Sequence, residues 1–524
     1  MTDTLIPKGV TSIADFIEQS FAEHPEQQAF SSLGQTFTFT ETEEASRHFA
    51  SYLINGLGLV PGDRIAIQLP NILQNPVAVY GALRAGLVVV NTNPLYTPRE
   101  MEHQFKDSGA KALVILADFL PKYEEIKANT PVEKVIITAA TECLMPDTAP
   151  EHPEYTSYSI AIAEGAKHTM PPRPTIDLED VAILQYTGGT TGVSKGAALT
   201  HRNVVANCMQ TLERLGANFI PKEEVVICPL PLYHIYAFNV CMMAFASRGA
   251  LIVLIPNPRD PDAFISAIKP YQFTTFAGIN TLFVGLSQHP EFKKCDFSKL
   301  KLTVSGGTAL TSAAVDAWKN VTGCEITEGY GLSETAPVAA FNDASNVAYG
   351  TVGKPVIGTD IAILSPDGTH LPAGETGEIA VKGPQVMQGY WQRPEATAEV
   401  MTADGYFRTG DIGVYNEDGN IQIVDRLKDM VIVSGFNVYP NEIEDVLTQY
   451  PTVIEAAVIG KEDDKSGERV CAYISVNGEV DIADIEAHCR KLLTAYKVPK
   501  EFHILKELPK SSVGKLLRRE LRDK

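Results

Sequence analysis

Short β-branched runs at residues 65–69, 113–116, 135–138 and 302–304 alternate with helix-length stretches such as 76–85 and 261–269. Strands separated by helices pair through crossovers, so the pattern predicts parallel or mixed sheets covered by helices, an α/β (mixed) fold. No period of about 20 to 50 residues repeats, which excludes a solenoid. At 524 residues the chain is too long for one core and predicts several folding units.

Two composition changes divide the chain. Between residues 141 and 180 the periodicity weakens and prolines gather (Pro146, Pro150, Pro153, Pro171, Pro172, Pro174), which reads as a surface connector between subdomains. Near residues 425–428 a Gly- and Asp-rich strand region, GVYNEDGNIQIVDRLKDMVIVSG, gives way to a βαβ-like tail large enough to fold as a small unit. The expected organisation is a large N-terminal domain of layered sheets and helices, 1–427, followed by a small mobile C-terminal α+β domain, 428–524.

Hydrophobic residues at 44% and charged residues at 21% give the balance of an ordered globular chain. A net charge of -20 argues against a nucleic-acid partner, which needs clustered cations to displace counterions. Only residues 497–524 run the other way, with nine Lys/Arg against four Asp/Glu, a pattern that a solvated helix face accounts for. The eight cysteines (Cys143, Cys208, Cys228, Cys241, Cys295, Cys324, Cys471, Cys489) show no metal-ligand spacing and read as buried thiols in a reducing compartment. The first residues, MTDTLIPKGV, lack the basic flank and apolar run of a secretion signal. The apolar stretch 240–256 is interrupted by Ser247 and Arg248 and falls short of the ~20 residues of a membrane span. The expected location is cytoplasmic, with peripheral contact at the inner face of the membrane left open.

The segment YTGGTTGVSKG at 186–196 follows an apolar strand and is dense in glycine, threonine and lysine. Glycines let backbone N–H groups approach phosphate oxygens, while the threonine hydroxyls add donors and Lys195 adds charge. Val193 and Ser194 separate Gly192 from Lys195, so the segment is not a Walker A loop. Alone it reads equally well as a flexible glycine turn. Three further blocks accompany it: ITEGYGLSET at 326–335, YFRTGD with DRLKD at 406–411 and 425–429, and LPKSSVGKLLRR at 508–519.

Together these blocks resemble the adenylate-forming superfamily of acyl-CoA synthetases, firefly luciferases and peptide-synthetase adenylation domains, and look most like bacterial long-chain fatty-acid CoA ligases. The likeness runs nearly end to end, through VNTNPLYTPRE at 90–100, PLYHIYA at 231–237 and GPQVMQGYWQRPEAT at 383–397. The resemblance implies ATP, Mg²⁺ and coenzyme A, with a fatty acid of medium to long chain as the acid. It implies that Thr187, Gly188, Gly189, Thr190, Thr191, Gly192 and Lys195 cradle phosphates. Glu334 becomes the Mg²⁺ carboxylate, and Ser333 stands where the family usually has Thr. Tyr330, between Gly329 and Gly331, stacks on adenine opposite Gly306, Gly307 and Thr308; Ala309 replaces a common proline there. Asp411 accepts the ribose hydroxyls, a role suited to two acceptor oxygens, and Arg426 is its phosphate- and ribose-side partner. Lys515 is the adenylating lysine, bridging the acid and the α-phosphate, and Lys428 is the hinge of a moving lid. Gly435 and Phe436 face the pantetheine of CoA, and His234 sits near the acyl carboxylate.

Bland alternatives stand beside several of these roles. Glu334 is also a natural first-turn glutamate, Asp411 and Arg426 a structural ion pair, and Lys515 one of many solvated lysines. The SGFN stretch reads equally as a strand turn, and His234 as a hydrogen-bonded core histidine. Rival functions that share the nucleotide motifs are a 4-coumarate-type aromatic acid ligase, acyl transfer to a carrier protein, and a non-catalytic nucleotide-binding regulator. A homodimer is compatible with the superfamily, and acyl chain length is not fixed by any motif.

Overall fold

The computed structural model describes residues 5–170, 172–187, 194–463, 465–511 and 514–522. Among them four sheets are formed. The first is built on the parallel strands Arg64–Gln68, Val88–Asn91, Ala110–Leu116 and Lys134–Thr138, with Val181–Thr187 parallel to Val88–Asn91. The second runs parallel through Leu251–Leu254, Val225–Cys228, Thr275–Gly278, Leu302–Ser305 and Ile326–Gly331. Helices cover these sheets, so their strands are buried on both faces and read as continuous Val, Ile and Leu runs. The mixed α/β class expected from the alternation is what the chain adopts.

Helix boundaries follow local chemistry. Thr38 and Glu41 close a reciprocal capping box on Phe39–Ser51, and Thr97 with Glu100 does the same for Pro98–Ser108. Trp318 anchors the second sheet's outer layer with ring centroids 4.9 Å from both Phe276 and Phe283.

Residues 141–180 are more than a connector. Tyr158–Ala166 is a helix, N-capped by Ser157, that packs on Phe39–Ser51 through Tyr158 and Phe49. Gly165 lies so close to His48 that a Cβ there would fall 1.8 Å from the His48 carbonyl oxygen. The apolar stretch after His234 forms a buried π-helix, Tyr236–Phe245, and then the strand Leu251–Leu254. Among the described residues no helix is long and apolar enough to cross a membrane.

A third, antiparallel sheet comprises Asp360–Leu364, Gly377–Lys382, Phe407–Tyr415 and Ile421–Arg426. Five residues after Arg426 the chain starts the fourth sheet at Val431–Val433, joined by Phe436–Val438, Val453–Asp463, Gly467–Val476 and Glu501–Ile504. Its core includes Ile443, Leu447, Val458 and Ile474. All eight cysteines are free thiols, six of them buried.

Candidate active site

A cleft of about 2800 Å³ lies where the carboxyl ends of the parallel strands face the third and fourth sheets. Strands Val181–Thr187 and Lys195–Thr200 pair antiparallel with Thr187 opposite Lys195. They bracket the segment expected to cradle phosphates, of which Gly188, Gly189, Thr190, Thr191 and Gly192 lie outside the described residues. Thr187 and Lys195 both line the cleft.

On the opposite wall Leu302–Ser305 continues through Gly306 and delivers Gly307 and Thr308, and Ile326–Gly331 delivers Tyr330. Gly306 approaches its neighbour closely: a Cβ would stand 3.3 Å from the Gly329 carbonyl oxygen. Gly329 and Gly331 are demanded by the fold itself. A Cβ at Gly329 would meet the Phe341 ring at 2.3 Å, and one at Gly331 the Pro337 oxygen at 1.8 Å.

Asp411 and Arg426 are cross-strand partners in the third sheet, so register alone brings them together. Arg426 Nε lies 3.4 Å from Asp411 Oδ1, while the Tyr330 hydroxyl donates to Oδ2 at 2.7 Å. The Asp411 carboxylate is thereby oriented into the cleft, with lone pairs left for further donors.

Ser333 and Glu334 form the turn after Ile326–Gly331. Glu334 is 8% exposed, and burial raises its carboxyl above the ordinary range, opposed by a hydrogen bond from the Tyr390 hydroxyl at 2.8 Å. The Lys195 ammonium sits 5.2 Å above the Tyr390 ring. Tyr390 is held by Gly389–Tyr390 pairing with Lys195–Thr200 and by its own N–H donating to Thr397. It lies in GPQVMQGYWQRPEAT, a block whose likeness was visible while the role of its tyrosine was not. Among the described residues no cluster of three or more His, Cys, Asp or Glu could hold a metal. A lone buried carboxylate fits Mg²⁺, which keeps much of its coordination from water and substrate phosphates.

His234 is half-buried in the cleft wall, and burial with the nearby Lys515 charge pushes it down to about 3. Its Nδ1 accepts the Tyr236 N–H at 3.4 Å, so the neutral ring presents Nε2–H.

Lys515 reaches this cleft from the far end of the chain. Ser511 N–H donates to the Lys515 carbonyl at 2.8 Å and Ser511 Oγ accepts the Lys515 N–H at 3.1 Å, closing a tight loop. A Cβ on Gly307 would touch Lys515 Cε at 3.8 Å. Burial, with the charges of Arg426 and Lys428 and against those of Asp411 and Glu334, lowers the Lys515 ammonium to about 8. Arg426 and Lys428 line the same cleft. Gly435 and Phe436 do not: Phe436 is 56% exposed on the fourth sheet and stacks on Tyr496 at 4.9 Å.

Lys195 beside Tyr390, an oriented carboxylate at Asp411, a buried glutamate and a lysine from near the end of the chain, gathered at one cleft, fit a nucleotide-dependent acid-activating enzyme. Residues 17–391 match the AMP-binding enzyme family and 442–515 match its C-terminal domain, and the chain belongs to this family. It is 45% identical to a long-chain-fatty-acid--CoA ligase of Escherichia coli, covering 99% of this chain and 95% of that one. It is also 45% identical to the ligase of the same name from Haemophilus influenzae, over 98% of this chain and 94% of that one. Among solved structures, an anthranilate CoA ligase in complex with anthranoyl-AMP superposes with a TM-score of 0.91 at 25% identity, covering 100% of this chain and 98% of that chain.

Proposed function

We infer that this chain activates a long-chain fatty acid with ATP and transfers the acyl group to coenzyme A, releasing AMP and pyrophosphate. The carrying observation is the convergence of Lys515 with Glu334, Asp411 and Arg426 around one cleft. The acid is a carboxylate, a poor electrophile. Its oxygen attacks the α-phosphorus, the bond to pyrophosphate breaks, and an acyl-adenylate forms. Lys515 draws the carboxylate and α-phosphate together and offsets the charge that grows between them. Asp411 accepts the ribose hydroxyls, Tyr330 and the Gly306–Thr308 turn hold the adenine, and Thr187, Lys195 and the segment between them take the phosphates. Glu334 would hold Mg²⁺, which when bound neutralises the phosphate oxygens. His234, neutral, donates to the acyl carboxylate without competing for its charge.

In the second step the CoA sulfur attacks the acyl carbonyl and AMP leaves. Lys515 no longer has a task there, and its loop stands across the cleft. The proposed boundary separates 1–427 from 428–524, with Lys428 as the hinge on which the second unit turns to bring Gly435 and Phe436 toward the thiol path. Exposed Phe436, set apart from the cleft, supports this assignment. The reading includes peripheral contact with a membrane and pairing of two copies, which vesicle co-sedimentation and light scattering test.

The deciding experiment supplies Mg-ATP, CoA and a mixture of hexanoate through oleate with coumarate, and measures AMP and acyl-CoA. Fatty acyl-CoA with AMP is expected. ADP release, or exclusive use of coumarate, would overturn the assignment.

A further inference from the structure

Arg518, three residues beyond Lys515, is 14% exposed and surrounded by carboxylates. It donates to both oxygens of Glu444, at 3.0 and 2.8 Å, and to Asn441 Oδ1 at 2.6 Å. On its other side it lies 3.2 Å from Asp429 and 3.6 Å from Asp425. Glu444 and Asn441 belong to the helix Pro440–Thr448, which packs on the fourth sheet. Asp425 belongs to the strand Ile421–Arg426 of the third sheet and adjoins Arg426, the partner of Asp411. The guanidinium therefore spans two sheets that meet at the cleft.

Asp425 is fully buried and is itself a junction. It accepts the Arg426 N–H at 2.7 Å from its own strand and the Asn441 N–H at 2.8 Å from the facing helix. Arg522 reaches Asp429 at 3.0 Å, so two guanidinium groups are shared among three carboxylates. Without Arg518, Asp425 and Glu444 would face each other with no cation between them, an arrangement that favours separation of the two sheets. The loop carrying Lys515 is closed by Leu517 N–H donating to the Pro509 carbonyl at 2.9 Å, so Arg518 holds the foot of that loop directly.

The geometry points to Arg518 as a positioning residue for adenylation: by bridging Asp425 and Glu444 it fixes the Lys515 loop in the cleft. This role rests on Lys515 being the adenylating lysine, and it acts through that lysine without touching the substrate. Lysine cannot replace Arg518, because a point charge lacks the planar fork that engages Glu444 and Asn441 at once.

The test separates the two half-reactions in the full-length enzyme. Oleate-dependent ATP–pyrophosphate exchange reads adenylation, and conversion of supplied oleoyl-adenylate and CoA to oleoyl-CoA reads transfer. Arg518→Lys and Arg518→Gln are expected to lower exchange by about tenfold or more through kcat, with transfer within about twofold of the wild type. Asp425→Asn, which removes one end of the bridge and keeps the residue's size, is expected to shift exchange in the same direction. Equal loss of both half-reactions, or unchanged exchange, overturns the positioning role. If the Arg518 variants fail to fold by thermal melting, the Asp425→Asn result decides alone. A wild type without exchange, or a Lys515→Ala enzyme that retains it, sinks the adenylation reading and this role with it.

Discussion

In its proposed role the Lys515 ammonium must stay protonated to bind two anionic reactants, yet its largely buried setting lowers it to about 8 in the free enzyme. A lowered lysine pKa means that the active form is lost as pH rises through that value. The kcat/KM for acyl-adenylate formation is therefore expected to fall above pH of about 8, since this ratio reports the free enzyme. Transfer from supplied acyl-adenylate should lack that alkaline limb; a common limb in both would assign the titration to another group. At the neighbouring carboxylate, Tyr390 supplies Glu334 with a hydrogen bond at 2.8 Å in a largely buried setting. Tyr390→Phe is expected to destabilise the free enzyme by about 1–3 kcal/mol, the cost of a buried acceptor left unmet. Saturating Mg-ATP should recover part of that loss in thermal melts; an equal loss with and without nucleotide would place this bond outside the metal's influence. The contiguous motifs made Glu334, Asp411 and Lys515 legible in sequence. Tyr390 was not, because its partners Glu334 and Lys195 come from other elements and only folding reveals the pairing.

At the level of elements, the β-branched runs located strands correctly, but three of the four fell short of the strand's full length and the run at 65–69 was displaced by one residue from Arg64–Gln68. The run at 113–116 is the end of Ala110–Leu116, whose first residues are Ala and Lys and carry little strand signal. The helix Tyr158–Ala166 escaped notice because its buried face is only Tyr158, Ala161 and Gly165, too few for a clear period. The π-helix Tyr236–Phe245 is buried on every side, so no stripe marks it. Loop chemistry was more informative. Gly514 has φ of +77°, and a Cβ there would lie 2.6 Å from Ile279 Cδ1 and 3.0 Å from Thr281 Oγ1. Alanine is thus opposed both by its backbone conformation, at about 1–2 kcal/mol, and by the helix Asn280–Gln288 that the loop must approach. Gly514→Ala is expected to reduce pyrophosphate exchange by about tenfold while the far-UV circular dichroism stays unchanged, since about 1.4 kcal/mol of misplacement corresponds to that factor. Undiminished exchange would show that the loop tolerates displacement from Lys515's place beside Gly307.

Across the whole molecule, the last unit touches the rest at a few places besides the chain connection. Gly514 meets Ile279 and Thr281, Arg518 meets Asp425, and Asp445 Oδ1 accepts from both the N–H and the hydroxyl of Ser312, at 2.9 and 3.0 Å. The Ser312–Asp445 contact places a carboxylate at the start of the helix Ser312–Thr322, worth about 0.3–1 kcal/mol, so it can be exchanged at small cost. It is also exposed, whereas the native thiols are buried or half-buried. Ser312→Cys combined with Asp445→Cys therefore offers a selective site for a short bifunctional thiol reagent that ties the units in their present arrangement. That arrangement keeps Lys515 in the cleft and Phe436 outside it. The tied enzyme is expected to exchange pyrophosphate and accumulate acyl-adenylate while forming acyl-CoA at least about tenfold more slowly than the untied double variant, the loss expected when a gating motion is blocked. Rapid-quench measurement of acyl-adenylate and acyl-CoA on the same samples distinguishes the steps. Full-rate thioester formation by the tied enzyme would mean that CoA reaches the adenylate past Lys515, and the proposed hinge at Lys428 would then have no part in the second step.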